Sequence, residues 1–213
     1  KLYLNKTQIK QLEEYTWICK KLWNLALQQR DEYRYKSLLI GPNMYKNEYK
    51  NPSFFSQCKE LPLLKKECEL FKIPPAGMLV EILKYLEKSI QLFFSNLKKN
   101  PRMAGWPKYK GKKTNVKLMF KDFKKNQVLL LNGNNYASIK LPKIGSVRFR
   151  LHNEIDGIIK YGIVVEEPDG WYLSLCIQKE DVKLEKNNLC SVLGIDLGIK
   201  NSLTTSDGRF FNF

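Results

Sequence analysis

Leu193-Gly194-Ile195-Asp196-Leu197-Gly198-Ile199-Lys200-Asn201 is the stretch on which the reading of this chain turns. Cys190-Ser191-Val192 leads into it, and Ser202-Leu203-Thr204-Thr205, Ser206-Asp207-Gly208 and Arg209-Phe210-Phe211 follow. An apolar strand bearing one Asp near its end, a second strand, a Ser-Asp-Gly turn and a third strand predict a β-meander. The Asp196 carboxylate would project from the central strand, and Gly198 would leave room where a metal-bound phosphate must come close. Asp207 sits in a turn signal and offers no second ligand. Alone, Asp-x-Gly also suits an ordinary turn or cap, so the meaning of Asp196 depends on what precedes it.

Upstream, the polar linker Glu185-Lys186-Asn187-Asn188 separates this segment from a β-prone one that begins near residue 101. Short apolar runs at 116–123, 128–131, 139–141, 147–151, 158–166 and 171–177 are divided by Asn132-Gly133-Asn134-Asn135, Lys143-Ile144-Gly145 and Pro168-Asp169-Gly170. That spacing predicts a small antiparallel barrel. Val147-Arg148-Phe149-Arg150 alternates apolar and cationic residues, which puts Arg148 and Arg150 on one sheet face. The segment opens with Gly105-Trp106-Pro107-Lys108-Tyr109-Lys110-Gly111-Lys112-Lys113. A cationic stretch with rings between its lysines can pair phosphates and stack bases, or serve as a flexible basic linker.

The first hundred residues read as helices. Thr7 is the expected N-cap of a long helix over about 7–36, striped by Ile9, Leu12, Tyr15, Thr16, Cys19, Leu22, Trp23, Ala26 and Leu27. Gly41-Pro42 breaks it, a weaker helix follows around 54–70, and Pro74-Pro75 opens a third that Asn100-Pro101 ends. Met78, Leu79, Ile82, Leu83, Leu86, Ile90, Phe93, Phe94 and Leu97 stripe that third helix. The stripes are bundle core. The opposite faces carry Lys10, Lys20, Lys21, Arg30 and Arg34 on the first helix and Lys84, Lys88, Lys98 and Lys99 on the third, as candidate phosphate contacts.

The 213 residues carry 37 Lys and Arg against 21 Asp and Glu, a formal charge of +16 that calls for a polyanionic partner, nucleic acid first. No run approaches the ~20 apolar residues of a spanning helix, and a basic chain with unpatterned cysteines suits the cytoplasm. Cys19, Cys58, Cys68, Cys176 and Cys190 contain no C-x-x-C pair and are read as free thiols, with His152 a packed or surface residue.

The motif around Asp196, followed by Thr205-Ser206-Asp207-Gly208, resembles the first RuvC motif of TnpB proteins, transposon-encoded RNA-guided endonucleases related to type V CRISPR effectors. Leu2-Tyr3-Leu4-Asn5-Lys6-Thr7-Gln8, Trp23-Asn24-Leu25-Ala26-Leu27, Gly105-Trp106-Pro107-Lys108-Tyr109-Lys110 and Leu141-Pro142-Lys143-Ile144-Gly145-Ser146-Val147 resemble further landmarks of that family, in its order. The resemblance implies an α+β protein. Its first strand (1–6) belongs to an oligonucleotide-binding-type barrel (the wedge domain), a helical recognition lobe (7–100) is inserted, the barrel continues over 101–187, and a ribonuclease H-like RuvC domain begins at 188–213.

It also implies a guide RNA derived from a transposon end and a double-stranded DNA target. Lys108, Tyr109, Lys110, Lys112 and Lys113, with Arg148 and Arg150, would contact RNA. Lys84, Lys88, Met119, Phe120 and Lys121 would contact DNA. Asp196 would be the first of three carboxylates that hold two Mg²⁺ ions, which activate water and stabilise the leaving oxygen. The other carboxylates and a cysteine zinc ribbon are expected beyond Phe213, so these residues alone would bind without cutting. The readings that compete are a truncated, nuclease-inactive RNA-guided repressor or accessory protein, and an RNA-binding structural protein.

Overall fold

The computed structural model describes residues 1–40, 51–121, 123, the backbone of 128–131, and residues 136–153, 155–179, 193–198 and 202–212. The break expected at Gly41-Pro42, the turn expected at 132–135, the linker at 185–188 and Cys190 lie outside these. The chain forms two compact units, Lys1–Lys179 and Glu180–Phe213.

In the first unit a short strand β1 (Leu2–Tyr3) precedes α1 (Lys6–Ile40), α2 (Phe54–Glu67), a 3₁₀ turn (Glu69–Lys72) and α3 (Ala76–Lys99). The cap of α1 is Asn5, two residues ahead of the expected Thr7. Its side-chain oxygen accepts from the Gln8 backbone N–H at 2.8 Å, and the Gln8 side chain accepts from the Asn5 N–H at 3.2 Å. This reciprocal box satisfies two donors at the helix start, and Asn caps a helix better than Thr. Ser53 and Ser56 make the same kind of box at α2. Pro75 precedes α3, and Asn100-Pro101 closes it, as the proline positions predict.

The buried side of α1 runs through Leu12, Tyr15, Ile18, Cys19, Leu22, Trp23, Ala26 and Leu27, and that of α3 through Met78, Leu79, Ile82, Leu83, Leu86 and Ile90. Fully burying a large apolar side chain of this kind is worth about 1.5–3 kcal/mol. These two stripes share one continuous core with the inner faces of the strands, including Phe120, Ile139, Val147, Phe149 and Trp171.

Six strands follow: β2 (Leu118–Lys121), β3 (Val128–Leu131), β4 (Tyr136–Leu141), β5 (Gly145–Arg150), β6 (Ile158–Glu167) and β7 (Gly170–Gln178). The expected barrel is, among the described residues, two open antiparallel sheets, β1-β5-β4-β3 and β2-β6-β7, with no ladder between them. A closed barrel pairs every edge. Here α3 packs on β2, and Leu118, Met119 and Phe120 are buried in succession, so both faces of that strand are covered. The β6–β7 hairpin turns at Pro168-Asp169-Gly170, where Gly170 adopts φ 134°, a conformation that a side chain would strain.

β1 pairs with β5, setting Leu2 opposite Phe149 and Tyr3 opposite Arg148. The helices therefore leave this sheet after its first two residues and the chain returns to it more than a hundred residues later. In β4 and β5 the side chains alternate cleanly. Ala137, Ile139, Leu141, Val147 and Phe149 are buried, while Lys140, Ser146, Arg148 and Arg150 face outward.

The described part of the second unit is a meander of β8 (Ile195–Asp196), β9 (Leu203–Thr205) and β10 (Phe210–Phe211), in sheet order β10-β9-β8. The order of elements is the one predicted from sequence. β8, however, is an outer strand of the described sheet, where the sequence reading made it central.

Candidate nucleic-acid interface

The basic loop at 105–113 lies along α1, tied to it by a row of hydrogen bonds. The indole N–H of Trp106 and the hydroxyl of Tyr109 both donate to the Asp31 carboxylate, at 2.6 and 2.7 Å. Trp23 donates its indole N–H to the Lys108 carbonyl at 3.0 Å. The Asn24 side-chain amide bonds both backbone groups of Lys110, accepting from its N–H at 2.7 Å and donating to its carbonyl at 3.1 Å. The Lys20 ammonium then reaches the Lys112 carbonyl at 2.8 Å.

The backbone of Lys108, Lys110 and Lys112 is thus held by Trp23, Asn24 and Lys20, while the side chains of Trp106 and Tyr109 both reach Asp31. These hydrogen bonds to α1 are at odds with the flexible linker that the sequence also allowed.

Cation–ring contacts complete the surface. The Lys110 ammonium sits 4.2 Å from the Trp23 ring centroid, and the Arg34 guanidinium 4.5 Å from that of Trp106. Phe93 meets Trp106 edge-on at 5.1 Å, so the exposed end of the α3 stripe serves the loop rather than the core. A cavity of about 300 Å³ beside Trp106 is lined by Arg34, Phe94, Glu87 and Asn51, among others. Burial, and then the nearby Lys20 ammonium, lower the pKa of Lys110. The hydrogen bond to Asp31 is the main cause that pushes Tyr109 up to about 12. Lys108, Lys112 and Lys113 remain exposed, and the Tyr109 ring is 53% exposed despite its anchored hydroxyl.

The other sequence candidates are spread over the first unit. Arg148 and Arg150 share the outer face of β5, as the alternation predicts. Lys84 and Lys88 lie one turn apart on α3, both exposed. Met119 and Phe120 are core residues, and Lys121 forms an ion pair with the buried Glu81, so this strand offers the surface only part of one lysine. Arg30, counted with the cationic face of α1, is buried. It donates to Gln57 at 3.0 Å and pairs with Glu87 at 2.8 Å.

Sequence reasoning gave Trp23, Asn24 and Asp31 no part in holding the loop. The signal was a polar row at helical spacing, Lys20, Asn24, Asp31 and Arg34.

In the second unit Asp196 is exposed, opposite Thr204 on β9. Gly194 and Ser206 brace the strand start, with Gly194 N–H donating to the Ser206 hydroxyl at 2.9 Å and Ser206 N–H to the Gly194 carbonyl at 2.8 Å. Asp207 accepts from Thr205 and pairs with Arg209 at 3.0 Å, which makes it a turn brace, as expected. Among the described residues no group of three or more His, Cys, Asp or Glu is placed to hold a metal ion. One exposed carboxylate does not fit magnesium as a site on its own. Cys19, Cys58, Cys68 and Cys176 are free thiols, and burial raises Cys19 to about 12, which keeps it unreactive. No helix among the described residues is long and apolar enough to cross a membrane.

Fold and surface together define a basic α+β protein with a cationic, ring-studded loop docked on one long helix. "Putative RNA-guided DNA endonuclease InsQ" of Escherichia coli (strain K12) is 26% identical to it over 201 residues, which cover 94% of this chain and 44% of that protein. The chain thus spans less than half the length of this curated relative. No family model matches the chain.

Proposed function

We propose that the chain is part of an RNA-guided DNA endonuclease of the TnpB kind, and that its 213 residues bind the guide RNA and the target DNA. The observation that carries this reading is the docked loop. A backbone fixed at Lys108, Lys110 and Lys112 presents cations and one half-exposed ring at set positions, which suits a phosphate backbone with bases beside it. The charge of +16 and the similarity to InsQ over nearly the whole chain support it. Lys108, Tyr109, Lys112 and Lys113 would contact RNA together with Arg148 and Arg150, and Lys84 and Lys88 would face DNA. The protein would read duplex shape while base pairing reads sequence.

Asp196 would contribute one carboxylate to a RuvC magnesium site whose other ligands lie outside the described residues. Binding and cutting should therefore separate. The test is to purify the 213-residue chain, sequence the RNA that accompanies it, and measure guide-dependent DNA binding with and without magnesium. The reading expects a defined RNA, DNA binding that follows its guide, and no cleavage. RNA binding without any guide-dependent DNA binding would favour an RNA-binding structural protein instead. Cleavage by this chain that Asp196→Ala abolishes would overturn the division between binding and cutting.

A further inference from the structure

The outward face of the first sheet carries rings as well as cations. Tyr3 on β1 lies opposite Arg148 on β5, and Tyr136 on β4 lies opposite Arg150, diagonal to Arg148. The Arg148 guanidinium is 5.8 Å from the Tyr3 ring centroid and 5.3 Å from that of Tyr136. The two rings meet edge-on at 5.5 Å. Tyr3 is 43% exposed, and Arg148 and Arg150 are exposed as well.

None of the four strands of this sheet contains an Asp or a Glu. The first strand and the β4–β5 hairpin thus bring two phenol rings and two guanidinium groups to one patch, with Lys140 at its border. Buried tyrosines would serve a core. These lie on the face opposite Leu2, Ala137 and Phe149, which already fill it. Aromatic rings beside cations on an open sheet face suit unstacked bases, whose planes lie on rings or guanidinium groups while the phosphates meet the charge.

We propose that this face is a stacking platform for unpaired nucleotides of RNA, with Tyr3 and Tyr136 as its rings and Arg148 as the cation between them. It deepens the RNA-binding reading above and rests on it. Duplex RNA hides its base planes, so the occupant is a single-stranded segment.

The test uses the 213-residue chain and three labelled probes of about 12 nucleotides, within the range of single-strand site sizes: oligouridylate, the same ribose-phosphate chain without bases, and oligodeoxyuridylate. Oligouridylate should bind about tenfold or more tighter than the abasic chain, a comparison that needs no protein variant. Tyr3→Leu and Tyr136→Leu should erase that difference while leaving abasic affinity and its salt dependence unchanged, and Tyr3→Phe and Tyr136→Phe should keep it. Equal binding of oligouridylate and the abasic chain by the unmodified protein would overturn the platform and leave the RNA-binding reading standing. So would Leu variants that weaken both ligands by the same factor. Tighter binding of oligodeoxyuridylate would overturn the assignment to RNA, and no binding of any probe would overturn the RNA-binding reading itself.

Discussion

Asn24 and Lys110 exchange two hydrogen bonds across 86 residues of sequence, the side-chain amide of one closing on the N–H and carbonyl of the other. The pair does for the loop what a neighbouring strand would do, satisfying backbone groups that the loop otherwise leaves to water. Asn24→Leu should release it. A loss of about 1–3 kcal/mol is expected from two half-buried groups left unpaired. Hydrogen exchange at the Lys110 amide should rise, and trypsin should cut after Lys108, Lys110 or Lys112 faster than in the unaltered chain. Unchanged exchange and cleavage would show that the other anchors hold the loop without Asn24.

Tyr109 gives a pH signature to the same loop. Asp31 holds its pKa at about 12, above the ordinary tyrosine value of about 10. The folded chain keeps that proton after the unfolded chain has lost it. The resulting stabilisation is complete below about pH 10 and disappears as pH rises through about 12. Denaturant titrations should therefore find a constant stability gap between the unaltered chain and Tyr109→Phe at neutral pH, shrinking between those two values. A gap that stays level across the interval would remove Asp31 from the titration.

Arg30 and Glu87 should behave as a structural pair. Arg30→Met leaves a carboxylate only a quarter exposed without its partner, at a cost of about 2–3 kcal/mol, just below the range for fully buried pairs. The double variant Arg30→Met with Glu87→Leu should recover most of it. Urea midpoints read both numbers. If Arg30→Met lowered RNA affinity while stability held, the residue would return to the cationic face.

Salt dependence separates phosphate contacts from ring contacts. Changing Lys108, Lys112 and Lys113 together to Gln should reduce the slope of log affinity against log salt by about 2, at ~0.7 per phosphate on a single strand. An unaltered slope would place the RNA elsewhere on the protein.

The helix ends show what the sequence carries by itself. Pro75 and Asn100-Pro101 bound α3 by local chemistry, and the turn at Lys143-Ile144-Gly145 places positive φ at its two ends, Lys143 at 64° and Gly145 at 92°. Strand existence was likewise local. The misses needed partners. Arg30 continues the spacing Trp23, Ala26, Leu27 and is buried with them, but its charge hid that until Glu87 and Gln57 were in view. Met119 and Phe120 follow Leu118 without alternation because α3 covers the strand, a fact of tertiary contact that a run of three apolar residues does not specify. The docked loop was legible as chemistry, rings among lysines, and illegible as geometry, because its anchors lie 75 to 92 residues away.

The pairing of Leu2 with Phe149 sets a timetable for a chain made from its first residue onward. The two residues that begin this sheet emerge from the ribosome long before their partner strand exists. At about 5–20 residues per second, β1 waits roughly 7–30 s for β5. During that interval α1 and α3 can fold against each other through local contacts, but the part of their core that faces the sheet stays open to water. Chaperones that shield apolar surface on nascent chains would meet this protein in that window. A circular permutant that carries β1 after β5 should shorten it.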